Sequence, residues 1–120
     1  PVGQSAGLPT GAVIERGATA DGDYVRFADG TQICRQTLTL DAPDTALGAL
    51  FAGASETAWA YPAAFLTGTQ PTLTASATMA TSTWIAARAG DAATGHLRAM
   101  AATSQATAPE VTVTAIGRWV

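Results

Sequence analysis

Apolar and polar residues alternate one by one along several short stretches of the chain. Residues 71–79 alternate Thr or Ser with Leu, Ala or Met, and Val111, Val113 and Ala115 alternate with threonines near the C-terminus. A period of two predicts strands with one buried face, and β-branched threonines fit a pleated surface better than a helix. Shorter patterns of the same kind predict further strands at 12–16, 24–28, 31–40, 56–61, 82–88 and 96–102.

A β-hairpin is predicted at the Asp-Gly dipeptide of residues 29–30, which lies between two runs of β-favouring residues. A two-residue type I′ turn needs a positive φ at both central positions, and Asp-Gly supplies it. With a loop of two residues, Arg26 pairs with Ile33 and Val25 pairs with Cys34. Val25 and Cys34 then lie on one face of the hairpin.

The remaining segments are predicted to be connections. Residues 1–11 are rich in Gly, Pro and small polar residues, as in a linker arriving from an upstream region, which leaves 12–120 as one domain. Residues 41–55 are predicted to be a loop with room for one short helix capped by Asp44, because glycines weaken a longer one. Six to eight short strands with such connections predict an all-β fold, a compact antiparallel β-sandwich.

The composition excludes several classes of protein. Only 12% of the 120 residues are charged, against about 25% in an average soluble domain, and all six basic residues are arginine. A formal charge of −3 argues against nucleic-acid binding, and 48% apolar residues argue against disorder. Membrane insertion is not expected, because no apolar run approaches the ~18 residues of a spanning helix. The chain starts at Pro1 without a basic leader, and we expect it to be a piece of a longer protein.

The scarcity of charge has two explanations that the sequence leaves open. Much of the apolar fraction is alanine, so the core is thin, and contact between subunits would remove surface that a monomer has to solvate. A GC-rich genome would also favour Ala, Gly and Arg over Lys and Ile. Both explanations can hold together.

No constellation of catalytic or metal-binding residues stands out in the sequence. The one histidine, His96, lacks evident partners for a triad, and one His with one Cys cannot supply a zinc site. Cys34 lies within a strand pattern and is interpreted as a small buried hydrophobe. Asp21, Asp23 and Asp29 lack the full ligand series of a calcium loop and are interpreted as turn residues. We therefore expect no enzyme activity, no cofactor and no bound metal.

Three ordered stretches resemble segments of bacteriophage tail-fibre proteins. Residues 22–34 (GDYVRFADGTQIC) resemble a G-x-Y-x-R-F-x-D-G-T-Q-I-C segment near the ends of these fibres. Residues 59–65 (WAYPAAF), followed by Pro71, are similar to the W-x-F/Y-P-x-x-F … P element that comes next, and residues 115–119 (AIGRW) are similar to the ending. The resemblance covers most of residues 12–120, and its first motif is the most specific.

The resemblance implies a β-sandwich at the distal tip of a trimeric fibre, in the virion and outside the cell. Such tips bind receptors on bacterial surfaces, often glycans, and some are similar in architecture to H-type lectins. The implied partners are two further copies of the chain in a homotrimer, upstream fibre or tail proteins, and a bacterial surface glycan or other receptor. A trimer axis could also gather three copies of His96 around an ion.

The motif residues are expected to serve as scaffold, whereas variable loops carry specificity in such a family. The expected scaffold residues are Tyr24, Arg26, Phe27, Asp29, Gly30, Trp59, Pro62, Phe65, Gly117 and Trp119. The corresponding variable loops are 41–55, 88–98 and 103–109.

Five residues on or beside one predicted turn form the candidate receptor site: Trp84, Arg88, Asp91, His96 and Arg98. The aromatic ring offers a stacking surface to a sugar, and the polar side chains offer hydrogen bonds. The leading hypothesis is a host-adhesion domain without catalysis. The alternative is a structural domain that forms the trimer and caps strand edges at the end of the fibre. A depolymerase tip ranks third.

Overall fold

The regular structure of the described residues consists of antiparallel β-strands, and no helix occurs among them. The computed structural model describes residues 3–5, 8–10, 14–78 and 82–120. The predicted strand positions 12–13 and 79 lie outside that description, as do residues 1, 2, 6, 7 and 11 of the predicted linker.

A short pair of strands occurs within the segment predicted to be a linker. β1 (Gly3–Ser5) and β2 (Leu8–Thr10) pair with each other as a separate two-stranded sheet. The role of this segment as a connection to an upstream region stays a prediction.

Ten further strands form two five-stranded sheets, which confirms the predicted all-β, two-sheet fold. Sheet I contains, in spatial order, β3 (Ile14–Thr19), β4 (Gly22–Phe27), β5 (Thr31–Thr39), β12 (Glu110–Arg118) and β9 (Thr72–Ala77). Sheet II contains, in spatial order, β10 (Thr83–Arg88), β11 (Thr94–Ala101), β7 (Leu50–Ala52) and β6 (Thr45–Leu47), and β8 (Thr57–Ala60) also pairs with β11. The count exceeds the predicted six to eight because β6 and β7 were not expected.

The β6–β7 hairpin replaces the loop or short helix predicted at 41–55. Leu47 lies opposite Leu50, and the chain reverses through Gly48, whose φ is +60°. Glycine adopts this left-handed conformation at little cost, which favours a tight turn over a continued helix. Each strand has only three residues, too few for an alternation to be recognised.

The β4–β5 hairpin forms at the predicted place, but its register differs by one residue from the prediction. Tyr24 lies opposite Cys34, and Val25 lies opposite Ile33. The predicted pairs of Arg26 with Ile33 and Val25 with Cys34 are therefore wrong. Because successive side chains alternate between faces, Cys34 shares its face with Tyr24 instead of Val25.

The register differs because the connecting loop has three residues, 28–30, instead of two. The amide of Gly30 donates to the carbonyl of Phe27 at 3.1 Å, and Oδ1 of Asp29 accepts from the amide of Thr31 at 2.9 Å. Gly30 has a φ of +99°, which supplies the left-handed residue that closes a three-residue hairpin loop.

The hydrophobic core lies between the inner faces of the two sheets. Sheet I contributes the fully buried Val111, Val113 and Ala115, and sheet II contributes Leu97 and Ala99. These are the apolar members of the predicted alternations, and burying their surface stabilises the fold. Four of these five side chains are alanine or valine, which agrees with the thin core expected from the composition.

Cys34 is fully buried in this core, as predicted. Burial raises the pKa of its thiol because the thiolate would lose its hydration, although hydrogen bonding with the backbone of Ala63 and with the side chain of Gln32 opposes the rise. A protonated, buried thiol is an inert structural group.

Three aromatic rings extend the core beyond the end of β8. Trp59, Tyr61 and Phe65 are all buried, and successive rings meet edge to face at centroid distances of 5.2 and 5.0 Å. The hydroxyl of Tyr61 donates to the carbonyl of Ala89 at 2.7 Å. Pro62 directly follows Tyr61 and prevents β8 from continuing, as predicted.

The buried hydroxyl of Tyr61 predicts a loss of stability at high pH. Burial, with a smaller contribution from the negative charge of Asp91, raises the pKa of Tyr61 from 10.0 to about 12. The folded state therefore keeps the proton that the unfolded chain gives up, so stability falls as the pH rises from 10 towards 12. In urea titrations over this range, Tyr61→Phe should lose less stability than wild type does. Parallel pH profiles for wild type and Tyr61→Phe would contradict this prediction.

The three motif segments converge at one end of sheet I. The indole Nε1 of Trp119 donates to the carbonyl of Phe27 at 2.8 Å, and its amide donates to the carbonyl of Gly30 at 2.9 Å. The guanidinium carbon of Arg26 lies 5.6 Å from the ring centroid of Tyr24 and 5.3 Å from that of Trp119, in cation–π geometry. The final strand is thus held against the first hairpin.

The middle motif joins the same region through Phe65. A Cβ atom on Gly117 would lie 2.9 Å from Cδ1 of Phe65, so the ring packs where a side chain would otherwise stand. The amide of Leu66 donates to the carbonyl of Arg118 at 2.7 Å. These contacts hold the end of the middle motif against the final strand.

Candidate functional site

The outer face of sheet II brings together four of the five residues predicted for the receptor site. Trp84 and Arg88 lie on the same face of β10, about 13 Å apart along the strand at about 3.3 Å per residue. In the β10–β11 register Trp84 lies opposite Met100, and Arg88 lies opposite His96. Arg98 lies between these two pairs on β11, and its side chain shares the same face.

A cleft of about 320 Å³ opens on this face. Its lining residues are Leu47, Glu56, Ala86, Ala87, Arg88, Arg98 and Met100. Trp84 is 44% exposed and stands beside the cleft, next to Met100, and Leu47 is 45% exposed. The volume lies at the lower end of the range for small-molecule sites, which pair apolar walls with a few polar groups.

One side of the cleft carries a bidentate ion pair between Arg88 and Glu56. Nε and Nη2 of Arg88 donate to the two carboxylate oxygens of Glu56 at 2.8 and 2.9 Å. The hydrogen bonds from Arg88 lower the pKa of Glu56, and those to Glu56 raise the pKa of Arg88. Glu56 is therefore ionised at neutral pH, and its carboxylate is already engaged by Arg88.

The other side of the cleft carries a second arginine without a carboxylate partner. Nε of Arg98 donates to the carbonyl of Gly53 at 2.8 Å. Within the part of the chain that the structure describes, no acidic side chain lies within 4.0 Å of Arg98. The cleft therefore holds one positive charge that Glu56 does not neutralise.

Asp91 has a different environment from the other four predicted residues. It lies in the β10–β11 turn, and its Oδ1 accepts from the amides of Ala93 and Thr94, both at 2.8 Å. These two hydrogen bonds lower the pKa of Asp91, and they fix the turn. The observed contacts of Asp91 are with the backbone of its own turn. Its direct contact with a receptor stays a prediction.

Sequence reasoning missed Glu56, Leu47 and Met100 as cleft residues. Glu56 and Arg88 are 32 positions apart and meet only because β8 and β10 both flank β11. Leu47 belongs to the unpredicted β6–β7 hairpin. Met100 could have been found from the sequence, because it lies two residues after Arg98 and four after His96 on the same strand and therefore faces the same side.

Among the described residues, no group of three or more His, Cys, Asp or Glu side chains is placed to hold a metal ion. The described part of the chain has no helix long and apolar enough to cross a membrane.

Comparison of the chain with protein-family models, with curated proteins and with solved structures finds no match. The tail-fibre resemblance therefore rests on the three sequence motifs alone.

Proposed function

We propose that this chain is a host-adhesion domain of a bacteriophage tail fibre or similar virion appendage, which binds a bacterial surface glycan without catalysis. The observation that carries the proposal is the row of Trp84, Arg98 and Arg88 on the open outer face of sheet II. The three tail-fibre-like motifs support the virion context.

The chemistry of this face suits a saccharide. The exposed indole of Trp84 and the apolar side chains of Met100 and Leu47 offer surface to the C–H faces of a sugar ring. The guanidinium groups of Arg88 and Arg98 offer hydrogen-bond donors to hydroxyl or acidic oxygens. Binding by stacking and hydrogen bonding requires neither a nucleophile nor a cofactor.

A homotrimer would raise the strength of attachment. A shallow cleft of this size predicts weak binding at each site, and three linked sites gain avidity when the target carries repeated glycans. A trimer at the tip of a fibre, outside the cell, would meet such repeated glycans on one bacterial surface.

The expected effect of Trp84→Ala tests the proposal. Because aromatic rings in a binding surface commonly dominate recognition, the substitution should weaken binding to a responsive saccharide by about tenfold or more. Binding is measured on an array of bacterial capsular and lipopolysaccharide fragments and on whole cells. Leu66→Ala is the matched control, since Leu66 is 38% exposed and lies outside the cleft. Equal loss in both variants, or no saccharide bound by wild type, would contradict the proposal.

A second candidate function is structural: a domain that forms the trimer and closes the end of the fibre. The observation that favours it is an apolar row across the outer face of sheet I, where Ile33 lies between Ile116 and Val25 in the strand register. Ile116 is 48% exposed, although it lies within β12 and not at an end of the chain. A domain with only this role binds neither cells nor saccharides, so the array experiment separates the two functions.

A further inference from the structure

The cleft on sheet II holds a guanidinium that is fixed in position but not neutralised. Nε of Arg98 donates to the carbonyl of Gly53 at 2.8 Å, and the amide of Gly53 donates back to the carbonyl of Ala99 at 3.0 Å. Gly53 is buried, so the support for the guanidinium is rigid backbone. One edge of Arg98 is thereby anchored, and its Nη1 and Nη2 make no hydrogen bond to the described part of the chain.

The charges around Arg98 distinguish it from the other arginines that have partners. Arg26 lies 3.7 Å from Glu15, and Arg88 is paired in two places with Glu56. Glu56 also lines the cleft, but both of its oxygens already accept from Arg88. Hydrogen bonds from Arg88 and, to a smaller extent, the charge of Arg98 lower the pKa of Glu56. One carboxylate thus faces two guanidinium groups, and the cleft keeps a net positive charge in a chain whose formal charge is −3.

The apolar walls beside Arg98 strengthen its attraction for an anionic ligand. Met100 and Leu47 line the cleft next to it, and Ala86 lies directly opposite it on β10. Apolar walls exclude water and lower the local dielectric constant, which strengthens a charge-assisted hydrogen bond. Two Nη donors of a planar guanidinium match the paired oxygens of a carboxylate or a phosphate.

We propose that Arg98 binds the anionic group, carboxylate or phosphate, of an acidic saccharide, and that the cleft selects acidic over neutral glycans. This inference rests on the proposed function for the saccharide nature of the ligand. Trp84, at the end of the cleft beside Met100, stacks on a neighbouring ring while Arg98 fixes the acidic one. The Arg88–Glu56 pair closes the far end and directs the anionic group to Arg98.

The test uses an array on which each acidic capsular or lipopolysaccharide fragment stands beside its carboxyl-reduced or dephosphorylated counterpart. Wild type should bind the acidic member about 10- to 100-fold more tightly, the range expected for a hydrogen-bonded ion pair. Arg98→Gln should remove most of that preference, because affinity for the acidic members should fall by a larger factor than affinity for the neutral ones. Arg35→Gln is the matched control, because Arg35 is an exposed arginine on sheet I.

A lysine variant and the dependence of binding on salt test the same inference in two further ways. Arg98→Lys retains the charge but not the fork, and it should retain only part of the preference. Wild-type binding to acidic members should weaken with added salt more than binding to neutral members does, which requires no variant to fold. A preference for carboxylates alone or for phosphates alone identifies the group. Equal binding to both members of each pair would overturn this inference only, whereas binding to no saccharide would also overturn the proposed function.

Discussion

Replacing Trp59 by alanine should lower the free energy of unfolding by about 3 to 5 kcal/mol. The side chain is only 2% exposed and packs edge to face on Tyr61 at a centroid distance of 5.2 Å. Its Nε1 also donates to the carbonyl of Asp21 at 2.8 Å, which links sheet II to the β3–β4 turn of sheet I. The substitution therefore opens a large cavity and removes a bond between the sheets. Because small domains have a total stability of about 5 to 15 kcal/mol, much of the fold's stability depends on this residue.

The chain provides a matched control for this prediction in Trp84, which is 44% exposed on sheet II. Trp84→Ala should cost less than about 1 kcal/mol, as surface substitutions usually do. Trp59→Phe keeps most of the buried ring and loses the hydrogen bond, so its cost should fall between the other two. Urea titration followed by circular dichroism gives all three values. Similar losses in Trp59→Ala and Trp84→Ala would show that Trp59 is not the core residue described above.

Replacing Gln32 by methionine should cost about 2 to 4 kcal/mol, although the volume and flexibility of the side chain hardly change. Gln32 is fully buried, and its Nε2 donates to the carbonyls of Ala63 and Ala64 at 2.8 and 3.3 Å. Its Oε1 accepts from Nε of Arg26 at 2.7 Å. Methionine would remove these hydrogen bonds from part-buried partners, and an unsatisfied polar group costs more than the bond itself contributed.

Gln36→Met is the control, since Gln36 lies on the same strand but makes its hydrogen bonds at the surface. Water can replace those bonds, so the loss of unfolding free energy should stay below about 1 kcal/mol. The same urea titration compares the two variants. If Gln32→Met is as stable as wild type, the buried glutamine does not join the first motif to the loop after β8.

The last strand of the thin core could be predicted because three alternate residues on one face of β12 are fully buried. Val111, Val113 and Ala115 alternate with threonines, and this pattern leaves little freedom for another structure. Pro62 indicated where β8 ends, and the Asp-Gly dipeptide indicated where the chain reverses between β4 and β5. The two-sheet fold follows from these local signals together.

The register of the first hairpin could not be predicted, because Asp-Gly serves loops of two and of three residues. The choice depends on the side chain of Asp29 bonding to the amide of Thr31, and on Trp119 bonding to the carbonyls of Phe27 and Gly30. Trp119 comes from the other end of the chain. A contact of that kind leaves no trace in a local window of sequence.

The candidate site was predictable in part for a similar reason. Trp84 and Arg88 lie an even number of residues apart on one strand, and so do His96 and Arg98 on the next. Alternation alone therefore assigns each pair to one face. Glu56 directly precedes β8 and reaches the same cleft because β8 and β10 both pair with β11, an order that the sequence alone does not reveal. Asp91 was grouped with the site by its place in the turn, but turn aspartates often serve their own backbone, as this one does.

The shortage of charged residues also takes on a clearer meaning in this fold. The outer face of sheet I carries threonines and serine along β9 and β12, beside the apolar row of Ile116, Ile33 and Val25. Hydroxyl groups hydrate part of that face without charge, and a subunit contact would cover the rest. Sheet II keeps its charges in the cleft, where two of the six arginines lie.

The most direct test of the proposed adhesion role is a nuclear magnetic resonance titration of the isotope-labelled domain with acidic bacterial surface oligosaccharides. Binding through the cleft predicts saturable shifts of the Trp84 indole and of backbone amides in β10, β11 and the β6–β7 hairpin. Amides on the outer face of sheet I should not move. Shifts centred on sheet I around Ile116, or no shifts with any saccharide, would contradict glycan binding by the outer face of sheet II.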